Sequence, residues 1–295
     1  MMKKTISAIA MVFAVSVLSP AMSLANVGIN EKFGLPIAVY GGNLSAAEKE
    51  NVAKSLEVTG EVEEIEVTGQ DLVKYIKDGD SRARMYSSAK ITRQDEGKGM
   101  VVQIVTPDNI TQVTAEMYAN AMLTAGIKDA TVEVAAPKPV TGHSALVGIY
   151  KAYEVNSGEE LDPERTDVAN DELGVATEIA DSGVDEAKVS ELLTEIKKDI
   201  AEQKPQSREE VEKIVEEQII RLQIELSPED RKLLVDLMDR IRSLNIDFSK
   251  WSNELNDLSK TIEGKIGTVV NDDGFWQSVK NFFNKLIDGI RSLLS

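Results

Sequence analysis

The sequence predicts an α/β domain, a mixed sheet with helices, followed by an all-α acidic helical domain and amphipathic C-terminal helices. Three observations predict it. Short β-rich runs alternate with helical runs as far as residue 154. Beyond Pro163 the β signals stop and apolar residues recur at helical spacing. The last fifty residues then hold both tryptophans and a broad aromatic face. The expected divisions are 1–25 (a signal peptide), 26–154 (α/β), 155–246 (acidic and helical) and 247–295 (an amphipathic tail).

In the α/β part, LPIAVYGG reads as a strand ending in glycines. LSAAEKENVAKSLE follows as a helix opened by a Ser45-x-x-Glu48 capping box. EVEEIEVTG alternates at period two and predicts a strand, and QDLVKYIK a short helix. RMYSSAKITRQ and MVVQIVT read as strands joined as a hairpin through Asp95-Glu96-Gly97-Lys98-Gly99. TAEMYANAMLTAG is a helix with Thr114 as N-cap and Gly126 as C-cap. ATVEVAAP is a further strand, and SALVGIYKAYE a helix beginning near Ala145. The order helix, strand, Thr-Gly occurs twice, ending at Thr68-Gly69 and at Thr141-Gly142. Duplication and ordinary α/β spacing both account for that echo.

The helical part opens at Asp162-Pro163, and Ser182-Gly183 closes its first helix. VDEAKVSELLTEIKKDIAEQ is the second, Ser207-x-x-Glu210 starts a third, and Ser227-Pro228 starts a fourth with acids on its positive end. Val211, Ile214, Val215, Gln218, Ile219 and Leu222 mark the core face of the third, and Leu233, Leu234, Leu237, Met238, Ile241 and Leu244 that of the fourth.

In the tail, Phe248, Trp251, Leu255, Leu258, Ile262, Ile266 and Val269 form a narrow seam. After Asn271-Asp272-Asp273-Gly274, the residues Phe275, Trp276, Val279, Phe282, Phe283, Leu286, Ile287, Ile290, Leu293 and Leu294 share one face, opposite Lys280, Lys285, Arg291 and the acid Asp288. Such a face either lies on a membrane surface or packs against the seam or a partner.

Composition narrows the class. Residues 1–25 combine Lys3 and Lys4, an apolar run over 6–18 too short to span a bilayer, and a Ser23-Leu24-Ala25 ending. These are the parts of a secretory signal peptide cleaved near Ala25. Cysteine is absent, so neither disulfide nor thiolate chemistry is expected, and a chain of 295 residues can bury a core without cystines. The net charge is −17, and residues 155–246 hold 25 acidic against 12 basic side chains. Such a surface repels phosphate backbones, so nucleic acid is not an expected partner. A membrane surface or another envelope protein is.

Catalytic constellations are weak. The one histidine, His143, adjoins Ser144, but neighbouring side chains diverge and no G-x-S-x-G elbow is present. A helix start capped by Thr141 or Ser144, with Gly142 permitting a tight approach, explains the stretch better. Such a start can hold an anion. The most basic run, SRARMYSSAK, offers Arg82, Arg84 and Lys90. Arg82 meeting Thr141, Gly142 and Ser144 would make an anion site. Asp78-Gly79-Asp80 and Asn271–Gly274 lack calcium-loop spacing, so no metal and no cofactor are expected. No acid pair stands out for glycoside chemistry.

YANAMLTAGIKDATVEVAAPKPVTGHSALVGIYKAYE, with VVQIVTPDNIT before it, closely resembles the YpuA-like family (domain of unknown function 1002). The GGNLSAAEKENV entry and the acidic helical half also look like that family, over roughly residues 26 to 245. Arg84 and Tyr86 stand where the family pattern implies simpler apolar residues, and His143 occupies a variable place in its Thr-Gly-x-Ser-Ala-Leu motif. The resemblance implies an exported protein, chiefly of Gram-positive bacteria, and supplies no mechanism. The expectation is a non-enzymatic envelope protein contacting its partner through the C-terminal helices. The alternative is an extracellular envelope hydrolase using carboxylates, which would show acids of raised pKa converging on a cleft.

Overall fold

A computed structural model describes residues 34–244, 246–247 and 252–267. The expected signal peptide, and the tail face from Phe275 to Ile290, lie outside the described residues.

Five strands form one mixed sheet: β1 (Ile37–Gly41), β2 (Glu63–Val67), β3 (Ser88–Arg93), β4 (Met100–Ile104) and β5 (Ala130–Ala135), in the order β2-β1-β3-β5-β4. β1 and β2 are parallel, as are β4 and β5, while β3 runs antiparallel to β1 and β5. The expected hairpin does not form, because β5 lies between β3 and β4. Burial explains the order. β5 buries most of its residues and belongs inside the sheet, whereas β4 exposes Val101 and Gln103 and suits an edge.

Period-two alternation assigns the faces. Ile37 and Val39 join the large core beneath α3 (Ala115–Ala125) and α4 (His143–Ser157). Ala38 and Tyr40 point the other way and join Val52 of α1 (Ala46–Ser55) and its C-cap residue Leu56 in a smaller cluster. The helices of the two sequence echoes thus cover opposite faces, which a simple duplication would not produce. α2 (Gly69–Tyr75) packs beside α4.

The predicted caps largely form. Ser45 and Glu48 make the reciprocal capping box, Thr114 accepts from the Met117 amide, and Gly126 takes the left-handed conformation. One expectation fails. The last α/β helix begins at His143, its N-cap is Gly142, and neither Thr141 nor Ser144 caps it.

The helical half comprises α5 (Pro163–Asp181), α6 (Glu186–Gln203), α7 (Arg208–Arg221), α8 (Pro228–Ser243) and α9 (Ser252–Gly267). α5 and α6 lie on α3, so one apolar core runs unbroken from Ile37 to Leu244. The expected boundary at 154–155 falls inside α4. α9 packs against α6 and α3 and buries Leu255 and Ile262, so this part of the seam is covered within the chain. Where α3, α5 and α6 meet, the Lys197 ammonium (2% exposed) lies 2.7 Å from the Glu172 carboxylate (1% exposed) and donates to the Asn120 carbonyl at 3.0 Å. The Thr124 hydroxyl donates to the other Glu172 oxygen. Among the described residues, no helix is long and apolar enough to cross a membrane.

Candidate functional site

A cleft of about 360 Å³ opens where the amino end of α4 meets the strap that joins α2 to β3. Its walls come from Leu72 and Ile76, from Ala83 to Ser87, from Val140 to Ser144, and from Val147, Asn170 and Asp171.

The strap is held by its backbone. The Asn43 side chain accepts from the Met85 amide at 2.8 Å, and the Asn43 amide donates to the Met85 carbonyl at 3.1 Å. Two glycines give it room. A Cβ on Gly41 would stand 2.4 Å from the Met85 carbonyl oxygen, and one on Gly69 would stand 2.2 Å from that of Ser81. Any side chain at either place would push the strap out of register with the cleft.

The strap separates its two arginines. Arg82 is 88% exposed and wraps Asp80, with Nε at 3.0 Å from Oδ1 and Nη2 at 3.1 Å from Oδ2. It does not line the cleft. Arg84 does, and it makes no ion pair among the described residues. The sequence holds a clue to this split. An aspartate two residues before an arginine, at a turn, favours local pairing, and Asp80 precedes Arg82 by two.

Thr141, Gly142 and Ser144 do come together in the wall. Gly142 has φ +105°, and a Cβ there would meet the Tyr118 hydroxyl at 2.7 Å and Ile110 Cγ2 at 2.8 Å. Only glycine satisfies both demands. Its carbonyl accepts from the Tyr118 hydroxyl at 2.6 Å and from the Ala145 amide at 3.0 Å. The first turn of α4 therefore carries no side-chain cap and faces the cleft with its positive dipole end.

Ser87 was not among the residues the sequence singled out as ligands. It is 1% exposed and lines the cleft, and its hydroxyl has no hydrogen-bond partner. Its amide donates to the Ser144 hydroxyl oxygen at 3.3 Å. The doubled Ser87-Ser88 at the head of β3 was the available signal. Ser88 faces the Gly41 amide, accepting at 3.1 Å, which leaves its neighbour for the cleft.

The cleft lacks a nucleophile with its base. His143 sits beside the Thr177 hydroxyl, at 3.4 Å from Nε2, rather than on Ser144. Burial lowers its pKa, with Asp181 opposing, so the imidazole is neutral at pH 7. The one acid of the wall, Asp171, pairs with Arg240, which also holds Asp167 at 2.9 Å. Elsewhere, the carboxyls of Asp71, Glu154 and Glu195 are held below their usual range, because cations and hydrogen-bond donors outweigh their burial. A general acid needs the opposite shift. The arrangement offers hydrogen-bond donors and one guanidinium, and so can bind an acceptor-rich group.

Among the described residues, no three metal-ligating side chains cluster. The family model described as "Protein of unknown function (DUF1002)" matches residues 40–258. "Uncharacterized protein YpuA" of Bacillus subtilis (strain 168) is 32% identical over 274 residues, covering 91% of this chain and 89% of that protein. No solved structure matches.

Proposed function

The chain belongs to the DUF1002 family, and on that premise we propose that it is an exported protein of the cell envelope that works by binding rather than by catalysis. The observation that carries this reading is the cleft at α4, where hydrogen-bond donors gather while His143 lies beside Thr177 rather than beside a serine. The hydrolase alternative asks for carboxyls pushed up, and Asp71, Glu154 and Glu195 are pulled down.

Export is supported by the basic, apolar and small-residue succession over residues 1–25. The face from Phe275 to Ile290 serves as the contact element toward a membrane surface or another envelope protein. Support for an outside partner comes from α9, whose Leu255 and Ile262 are already covered by the body of the protein. That leaves less apolar surface inside the chain for residues 275–290 to fold onto.

Cell fractionation tests the proposal. The protein should be recovered outside the cytoplasm with its first residue near Asn26. A version ending at Gly274 should shift from the membrane and wall fractions into the medium. Recovery in the cytoplasm with residues 1–25 intact would overturn export. Identical partitioning of the two versions would overturn the role of the tail.

A further inference from the structure

We infer that the α4 cleft binds a small organic oxyanion, a carboxylate or phosphate monoester carried on a short apolar body. The inference rests on the binding reading above and adds the chemical class of the ligand.

Three independent features converge on an anion. The first turn of α4 is uncapped, so its amides and the helix dipole favour negative charge at that end. Arg84 brings a guanidinium fork that no carboxylate claims, in a chain of net charge −17 where arginines such as Arg82, Arg208, Arg231 and Arg240 are paired. The Ser87 hydroxyl is the third donor, buried without a hydrogen-bond partner among the described residues. Four other buried side-chain atoms lack partners, on Tyr40, Tyr150, Asn156 and Ser190, but none of those residues lines the cleft. Ser87 is the one of these five whose residue borders the cleft.

The remaining wall sets the rest of the molecule. Leu72, Ile76, Ala83, Met85, Val140 and Val147 are apolar, so water gains little there and a hydrocarbon body gains much. About 360 Å³ stands at the small end of ligand cavities, which limits that body to a few carbons. Asp171 does not oppose the anion, because Arg240 neutralises it.

Calorimetric titration of the full chain with hexanoate, hexyl phosphate, hexanamide and inorganic phosphate tests the inference. At least one of the two hexyl anions should bind at least tenfold more tightly than hexanamide and inorganic phosphate, and weaken as salt rises. Arg84→Met should cost tenfold or more in that affinity and Ser87→Ala several-fold, while Arg82→Gln should leave it unchanged. Arg84 is exposed and unpaired, so its variant should keep the wild-type melting temperature, which confirms that affinity alone has changed. Hexanamide binding as well as hexanoate would overturn the anionic class yet leave a binding cleft in place. Inorganic phosphate matching hexyl phosphate would assign the site to a free ion and overturn the organic class. No binding by any of the four would remove both this inference and the cleft as a seat.

Discussion

Two places where polar groups are buried beneath helices have opposite outcomes. Between α3, α5 and α6, Lys197 and Glu172 face each other at 2.7 Å, and Asn120 and Thr124 take up further hydrogen bonds. Every charged atom there has a partner from within the chain. The start of α4 differs. Among the described residues, the Ser87 hydroxyl has no partner, Arg84 no carboxylate and the first turn no cap. The closed cluster fastens the helical half to the sheet domain. The open one leaves the Ser87 hydroxyl without a hydrogen-bond partner among the described residues. Burial alone therefore does not single out a polar group, whereas burial without a hydrogen-bond partner asks for an explanation.

The largest effect should come from breaking the closed cluster. Glu172→Leu leaves the Lys197 ammonium buried without its counter-ion and should cost about 3–5 kcal/mol in denaturant unfolding. Adding Lys197→Met should restore most of that loss. A single substitution that costs under about 1 kcal/mol would erase the contrast with the cleft.

At the open site, Gly142→Ala forces a side chain into left-handed backbone and against the Tyr118 hydroxyl. We expect a loss of about 1–3 kcal/mol, read as a lowered melting temperature. Unchanged melting would mean that α4 starts differently.

The helix caps sharpen the comparison on a finer scale. Thr114→Ala removes the acceptor for the Met117 amide and should cost about 1 kcal/mol. Thr141→Ala, at the uncapped helix, should change stability by less than about 0.5 kcal/mol. Equal losses would show that Thr141 caps α4 after all.

The smallest effect is one of pH. His143 has a folded pKa below its unfolded value, so its contribution to stability is full above about pH 6.5 and is lost as pH falls through the lower folded value. Replacing it with asparagine should flatten the melting-temperature profile on that acid side. A wild-type profile already flat from pH 7 to 5, or one that the substitution leaves unchanged, would contradict the burial of the ring.

Much of the local structure was legible because its causes are local. Ser45-x-x-Glu48, Thr114, Gly126, Asp162-Pro163 and Ser227-Pro228 announce helix ends through hydrogen bonds within a few residues, and each helix starts or stops there. The strand order was not legible in that way. Whether MVVQIVT pairs with its neighbour in sequence or with ATVEVA depends on which strand the two helix layers bury, and period-two alternation carries no such record. Glu172 and Lys197 look like two more solvated charges on amphipathic helices, since nothing in their own segments says that α3 will cover them. The candidate site was half legible. Thr141, Gly142 and Ser144 signal a helix start, and the basic run signals a cation. Choosing Arg84 over Arg82 required the strap's fit against Gly41 and Gly69, which only the fold supplies.

The most direct test of the cleft is amide chemical-shift mapping of the isotopically labelled protein during titration with hexanoate. The account predicts that the amides of Ser87, His143 and Ser144 move most, while those at the capped start of α3, Ala115 and Met117, stay in place. Equal movement at both helix starts, or movement confined to residues away from the α4 cleft, would contradict it.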